Sequence, residues 1–245
     1  MNDYGFEATN NSGTVTISGA TRLLVFSERG TVRTTSSNSD RPGYGAVTLA
    51  KPIKTTATPE IFVRVATHNR TAVSIYFTFI GQPGNWTGFK ITVAAGATNN
   101  LIDHTFEYVA CKYSDSPGSE DYGLELYNAD GSGEVIFNST DSPVIFSRFS
   151  KRWQWQSIST SSVDIYASGI TIDADDFIGV SGFDRGLVFF GNAEYAGLRL
   201  ISSNARVLQI TVNKRVNEQH QDPLIGRAFN FCAPICKFPA SIYHN

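Results

Sequence analysis

The sequence predicts an all-β protein: two tandem, duplicated antiparallel β-sandwich domains of jelly-roll type, followed by an irregular C-terminal tail. Three observations predict it. Short apolar runs bounded by turn residues recur along the chain, no sustained 3.6-residue apolar period marks a helix, and an N-terminal segment reappears in the second half. The composition agrees: one Met stands against 17 Phe and 10 Tyr, with 21 Gly. Aromatic residues favour strands, and Gly favours turns.

The duplication is read directly. Asp3-Tyr4-Gly5-Phe6-Glu7-Ala8-Thr9-Asn10-Asn11-Ser12-Gly13 returns as Asp121-Tyr122-Gly123-Leu124-Glu125-Leu126-Tyr127-Asn128-Ala129-Asp130-Gly131, identical at six of eleven positions. Val15-Thr16-Ile17-Ser18 then matches Val135-Ile136-Phe137-Asn138, and Leu24-Val25-Phe26-Ser27 matches Val144-Ile145-Phe146-Ser147. Further on, Val65 to Arg70 aligns with Val180 to Arg185. Trp86 to Ile91 aligns with Tyr195 to Leu200, and Thr105 to Lys112 with Val207 to Lys214. Shorter loops in the second copy account for the drifting spacing, because loops tolerate length change. The domains expected are residues 1–119 and 120–216, with a tail at 217–245.

Each copy opens with a hairpin. Gly5 to Ala8 and Thr14 to Ile17 flank a turn at Asn10 to Gly13. In the second copy Gly123 to Tyr127 and Val135 to Phe137 flank Asn128 to Gly131, residues that tolerate positive φ. Third strands follow at Leu23 to Phe26 and Val144 to Phe146. Later strands of the first copy are Ile61 to Val65, Val73 to Phe79, Lys90 to Val93 and His104 to Cys111. Those of the second are Val163 to Tyr166, Phe177 to Val180, Gly186 to Phe190, Leu198 to Ser202 and Val207 to Val212. The polar stretch Thr34 to Pro42 reads as a mobile loop. The tail holds Pro223, Pro234 and Pro239 among Phe229, Phe231, Phe238 and Tyr243. Pro interrupts a sheet ladder, so this segment is expected to wrap over its own domain or dock on a partner.

Charge and cysteine usage narrow the function. Net charge is −2. Residues 1–119 carry ten basic and eight acidic side chains, and 120–245 carry ten and fourteen, so neither half offers the basic field that nucleic acid requires. No run approaches the ~20 apolar residues of a membrane span. The start is polar from Met1, without a basic segment leading into an apolar run, so the expectation is folding in a cytosol. Cys111, Cys232 and Cys236 are an odd set, which suggests no disulfide framework.

No residue pattern points to catalysis. His68, His104, His220 and His244 are scattered, and no nucleophile elbow, zinc-protease helix, phosphate loop or dinucleotide fingerprint occurs. The expectation is a non-enzyme without cofactor or metal. Cys232 and Cys236 lack the second ligand pair of a zinc site, and free buried thiols are expected instead. Asn128-x-Asp130-x-Ser132-x-Glu134 imitates a calcium loop but has Ser139 at its twelfth position, so a hairpin turn is expected. Asp173-Ala174-Asp175-Asp176 reads as a solvated strand-entry loop, with a surface cation as the alternative.

The candidate contact residues are aromatic. Trp153 and Trp155 would share one face of a strand, flanked by Arg and Gln, and could stack sugars or anchor a partner. Core burial is the ordinary fate of such rings. Trp86 would sit at a loop tip, and Phe229 and Phe231 would serve the docking tail.

The opening motifs, Tyr4 to Gly13 and Tyr122 to Ser139, resemble small tail proteins of tailed bacteriophages that start with a Tyr-Gly-[Phe/Leu] β-hairpin. Such β-domains sit in the tail tip, baseplate or fibre. The resemblance implies a virion tail protein assembled in the host cytoplasm, with other tail proteins as partners and symmetric homo-oligomers. A host-surface receptor, glycan or pilus, is the alternative partner.

Overall fold

The computed structural model describes residues 5–10, 13–18, 22–38, 43–66, 73–93, 101–116, 122–151, 153–159, 163–183, 195–200, 207–213 and 232–245. It is all-β. The strands of the first half are β1 (Gly5–Asn10), β2 (Gly13–Ser18), β3 (Leu24–Arg33), β4 (Gly43–Ile53), β5 (Glu60–Val65), β6 (Val73–Gln82), β7 (Asn85–Val93) and β8 (Thr105–Tyr113). Those of the second half are β9 (Glu125–Tyr127), β10 (Val135–Asn138), β11 (Phe146–Ser150), β12 (Gln154–Ser159), β13 (Val163–Thr171), β14 (Asp176–Gly179), β15 (Tyr195–Leu200), β16 (Val207–Asn213) and β17 (Ala233–Lys237). No helix among the described residues is long and apolar enough to cross a membrane.

Two large antiparallel sheets face each other. One runs β11-β17-β14-β5-β8-β3 and the other β12-β13-β16-β15-β6-β7-β4. Both mix strands of the two halves, which corrects the expected boundary at 119/120. At β5/β14, Ile178 pairs with Val63 and Gly179 with Phe62. At β6/β15, Leu198 pairs with Ile75. The cause is edge satisfaction: each half alone would leave open the strand edges that these pairings close.

The duplication is nevertheless written into the topology. Read outward from the junctions, β5-β8-β3 mirrors β14-β17-β11, and β6-β7-β4 mirrors β15-β16-β13, with β12 added outside. The register repeats to the residue. Phe26 opposes Cys111 and Phe146 opposes Cys236, and in each ladder the register shifts immediately afterwards. Glu28 then faces Ala110, and Arg148 faces Ile235. The two halves are thus related by a pseudo-two-fold axis.

This register amends the sequence alignment after the third strand. The counterpart of β7 is β16 rather than Tyr195 to Leu200, and the counterpart of β8 is β17 rather than Val207 to Lys214. Val180 corresponds to Val63 rather than Val65. The tail therefore does have a partner in the first half: Cys111-Lys112-Tyr113 matches Cys236-Lys237-Phe238.

The six-stranded sheet also closes on itself at one end. Phe26 N donates to Ser142 O (2.9 Å), Val144 N donates to Leu24 O (2.9 Å), and Val25 bridges Pro143. The segment that pairs there leads directly into β11. Leu24 meets its own counterpart Val144, as Phe62 meets its own counterpart Gly179, so both seams of the ring lie on the two-fold. Alternation along the strands then feeds two cores. Ile61, Val63, Phe106, Tyr108, Ile178 and Ile235 face the second sheet, against Phe77, Phe89, Ile91 and Trp153. Leu24, Phe62, Val109, Cys111, Phe177 and Cys236 fill the ring with Phe238 and Tyr243.

The C-terminal segment caps that ring. Arg29 Nη1 donates to Phe238 O (3.3 Å) and Tyr243 O (3.0 Å), Tyr243 Oη donates to Pro143 O (2.7 Å), and the Asn245 side chain pairs with both backbone groups of Arg29 at 2.8 Å. Pro234 is accommodated because the β14 ladder ends at Ile235, so no N–H is required of it on that side.

Two consequences can be measured. Deleting 217–245 removes β17 from between β11 and β14, and is expected to abolish the cooperative unfolding transition rather than leave folded domains. At the seam, a Cβ on Gly179 would meet Pro234 Cγ at 2.5 Å. Gly179→Ala is expected to cost about 1–3 kcal/mol in urea unfolding, the usual penalty of overpacking a tight core.

Candidate functional site

The described surface most suited to contact is the hairpin β9–β10, whose residues carry the duplicated motif. Its turn is self-built. Asn128 N donates to Glu134 O (2.8 Å), Asn128 Oδ1 accepts from Asp130 N (3.3 Å), and Asp130 Oδ1 accepts from Ser132 N (2.8 Å). Gly131 and Gly133 take φ of 79° and 73°, where a side chain would be strained. The hydrogen bonds from Ser132 hold the Asp130 carboxyl below its ordinary range. This is the hairpin turn that the sequence suggests.

The foot of the hairpin is anchored. Val135 and Ile136 are buried, Leu23 N donates to Ile136 O (3.3 Å), and Arg22 pairs with Glu134. Buried Asn138 accepts from Thr140 N (2.9 Å) and Asp141 N (3.0 Å), and donates to Ser116 O (3.0 Å) and Asp141 Oδ2 (2.9 Å). Ser139 Oγ accepts from Leu124 N (2.9 Å), directly beneath Gly123, where a Cβ would meet it at 2.5 Å. Above this foot Tyr122 is 91% exposed, Tyr127 51% and Leu124 42%. An anchored base carrying exposed aromatics suits protein contact.

The aromatic candidates fall differently. Trp153 is fully buried in the inter-sheet core, so it is not a surface platform. Trp86 is also buried, its Nε1 donating to Thr55 O (3.0 Å) and Ala57 O (3.1 Å), so it is not a loop tip. Both rings follow apolar burial, with the indole N–H satisfied at Trp86. Trp155 lies on β12, paired with Tyr166, and its side chain lies outside the described residues. Phe229 and Phe231 lie outside the described residues. In sequence, the β8/β17 register aligns Phe231 with Phe106, a buried residue.

Other readings are refined too. Thr34 and Ser37 of the expected mobile loop are buried, and Ser37 pairs with Ile102. Residues 39–42 of that loop lie outside the described set. Cys111 and Cys236 are buried while Cys232 is exposed. Burial pushes the Cys111 thiol up and the Cys236 thiol up to about 12, so both stay protonated and poorly nucleophilic near neutrality.

Asp173, Asp175 and Asp176 bring carboxylate oxygens within 4.8 Å of one another. Two cations already serve them. Arg148 pairs with buried Asp176 and donates to Thr171 O (2.8 Å), and Lys237 Nζ lies 2.9 Å from Asp175 and 3.6 Å from Asp173. Asp176 Oδ1 is buried and makes no hydrogen bond to a described residue. The arrangement is an ion-pair network at the entry to β14. It ties that loop to β11 and β17.

A second exposed apolar surface escaped the sequence reading. Ile145 is 66% exposed, and Phe146 stacks on Phe149 at 5.1 Å beside Lys151. The consecutive apolar pair Ile145-Phe146, which puts one residue on each side of the sheet, was the available signal.

Comparison with protein families, with curated proteins and with solved structures finds no match to this chain.

Substitutions separate core from surface. Trp153→Ala is expected to lose about 3–5 kcal/mol of unfolding free energy, whereas Tyr122→Ala stays within about 0.5 kcal/mol. A second expectation concerns pH. Burial lowers the pKa of His104, against a smaller opposing pull from Asp103. The neutral ring is therefore the folded form. Its contribution is complete above about pH 6.5, the unfolded value, and is lost as pH falls through the lowered folded value. His104→Gln should flatten the decline of melting temperature on mild acidification. An unchanged slope would show that His104 does not set it.

Proposed function

We propose that the protein is a non-enzymatic structural component of the distal end of a bacteriophage tail, in the tip or baseplate, that joins neighbouring tail proteins. One observation carries the reading: the segments resembling phage tail proteins are the two hairpins, and the second of them holds Tyr122, Leu124 and Tyr127 in solvent above an anchored foot. The fused two-half body supports it further, since ring closure and the C-terminal cap give a stiff mount for such contacts. On this reading the chain is assembled in the host cytoplasm, and its partners are other tail proteins. Host-receptor binding through a Trp153/Trp155 platform loses its support, because Trp153 is buried.

Gold-labelled antibody against the chain should decorate the distal tail of intact virions from the source in negative-stain micrographs. Unlabelled particles, with the protein free in the lysate, would contradict a virion role.

A further inference from the structure

We propose that hairpin β9–β10 docks on the outer face of strands β4, β7 and β6 in a second copy of this chain, building a head-to-tail homo-oligomer. This deepens the contact role proposed above for the hairpin and rests on it.

The first argument is charge. Residues 113–147, which include the hairpin, hold seven acids and no Lys or Arg. That run carries −7 in a chain whose net charge is −2, so the remaining residues carry +5. Asp130 and Glu134 of the hairpin are exposed. Two such hairpins meeting each other would set acid against acid, so the surface that complements this one is cationic.

A surface of that kind is present in the same chain. The ladders of β4, β7 and β6 set Lys90 between Ala46 and Thr78, with Tyr44 opposite Thr92. Val47, Phe77, Phe89 and Ile91 point into the inter-sheet core, so by strand alternation Tyr44, Ala46, Thr78, Ile80 and Lys90 point outward. Tyr44 is 54% exposed and Ile80 42%, and Lys90 Nζ lies 4.6 Å from the centre of the Tyr44 ring. The three strands contain Lys51 and Lys90 but no Asp or Glu. This face offers what the hairpin lacks, cations beside exposed apolar side chains.

Geometry makes the contact one between copies. The hairpin springs from the six-stranded sheet, where Ile136 O accepts from Leu23 N. The acceptor face belongs to the other sheet and looks away from that one, and its Tyr44 and Ile80 remain in solvent. Glu125 and Tyr127 are two residues apart on β9 and joined by a hydrogen bond from Tyr127 Oη, so they present an acid and a ring together. In the contact, Glu125 pairs with Lys90 while Tyr127 packs on Tyr44 and Ile80, where a cation beside the rings adds attraction. Joining unlike surfaces gives a heterologous interface, which closes into a ring when its rotation permits.

The test is sedimentation velocity of the purified full-length chain over a concentration series. The wild-type chain should self-associate, and more weakly as salt rises. Glu125→Lys and Lys90→Glu should each weaken association by roughly ten-fold or more. Tyr127→Ala should do the same, with urea unfolding unchanged in all three. An equimolar mixture of Glu125→Lys and Lys90→Glu chains should regain association, because each hairpin then meets a face of opposite charge. A wild-type chain that stays monomeric, charge variants that associate like wild type, or a mixture that fails to recover overturns the self-docking. A monomeric chain that gold labelling still finds at the distal tail overturns the self-docking alone and leaves the tail reading standing.

Discussion

Backbone pairing between the two halves is the interaction on which the rest depends. Phe62 meets Gly179 and Leu24 meets Val144, and at both seams a residue faces its own counterpart. Unpaired strand edges are costly when buried and adhesive when exposed. Closing one half's edges with the other removes that liability and produces a ring that neither half completes alone. Both cores follow from this closure, because inward and outward faces of the same six strands feed different clusters.

Symmetric duplication leaves a packing problem at the axis, where identical residues would compete for one space. Divergence answers it. Pro234 occupies the room that Gly179 leaves empty, its Cγ 2.5 Å from where a Cβ would stand, and the Phe62 ring lies alongside at 3.4 Å. Glu28 and Arg148 sit at equivalent places after the same register shift with opposite charge, and each has its own partners. Glu28 accepts from Tyr108 Oη (2.9 Å) and Ala50 N (2.7 Å), while Arg148 holds Asp176 and Thr171 O. Buried charges persist only when paired in this manner. The C-terminal Phe238 and Tyr243 then fill the ring that the two halves enclose.

Most strands could be read from apolar runs, because the pattern of burial is local. Those missed share a cause. In β4 the inward positions are Gly43, Gly45, Val47 and Leu49, a strict alternation that Gly and Ala disguise as a loop. In β17 the prolines of its segment argued against a strand, whereas Pro234 falls beyond the β14 ladder. The alignment of later repeats slipped by one strand for a related reason: matching short apolar runs cannot tell neighbouring strands apart, whereas hydrogen-bond register can. Trp153 and Trp86 misled as surface candidates because an aromatic ring in sequence does not state which face it takes.

From sequence alone came the all-β class, the duplication, the two hairpins and the absence of a recognisable catalytic pattern, because strand periodicity and turn chemistry act over a few residues. Tertiary structure alone decided that the halves share both sheets, that β17 is a central strand rather than a free tail, and that Tyr122 stands in solvent while Trp153 does not. Those outcomes depend on which edges and faces meet across more than a hundred residues. That choice belongs to the closure of the whole ring, not to any segment of it.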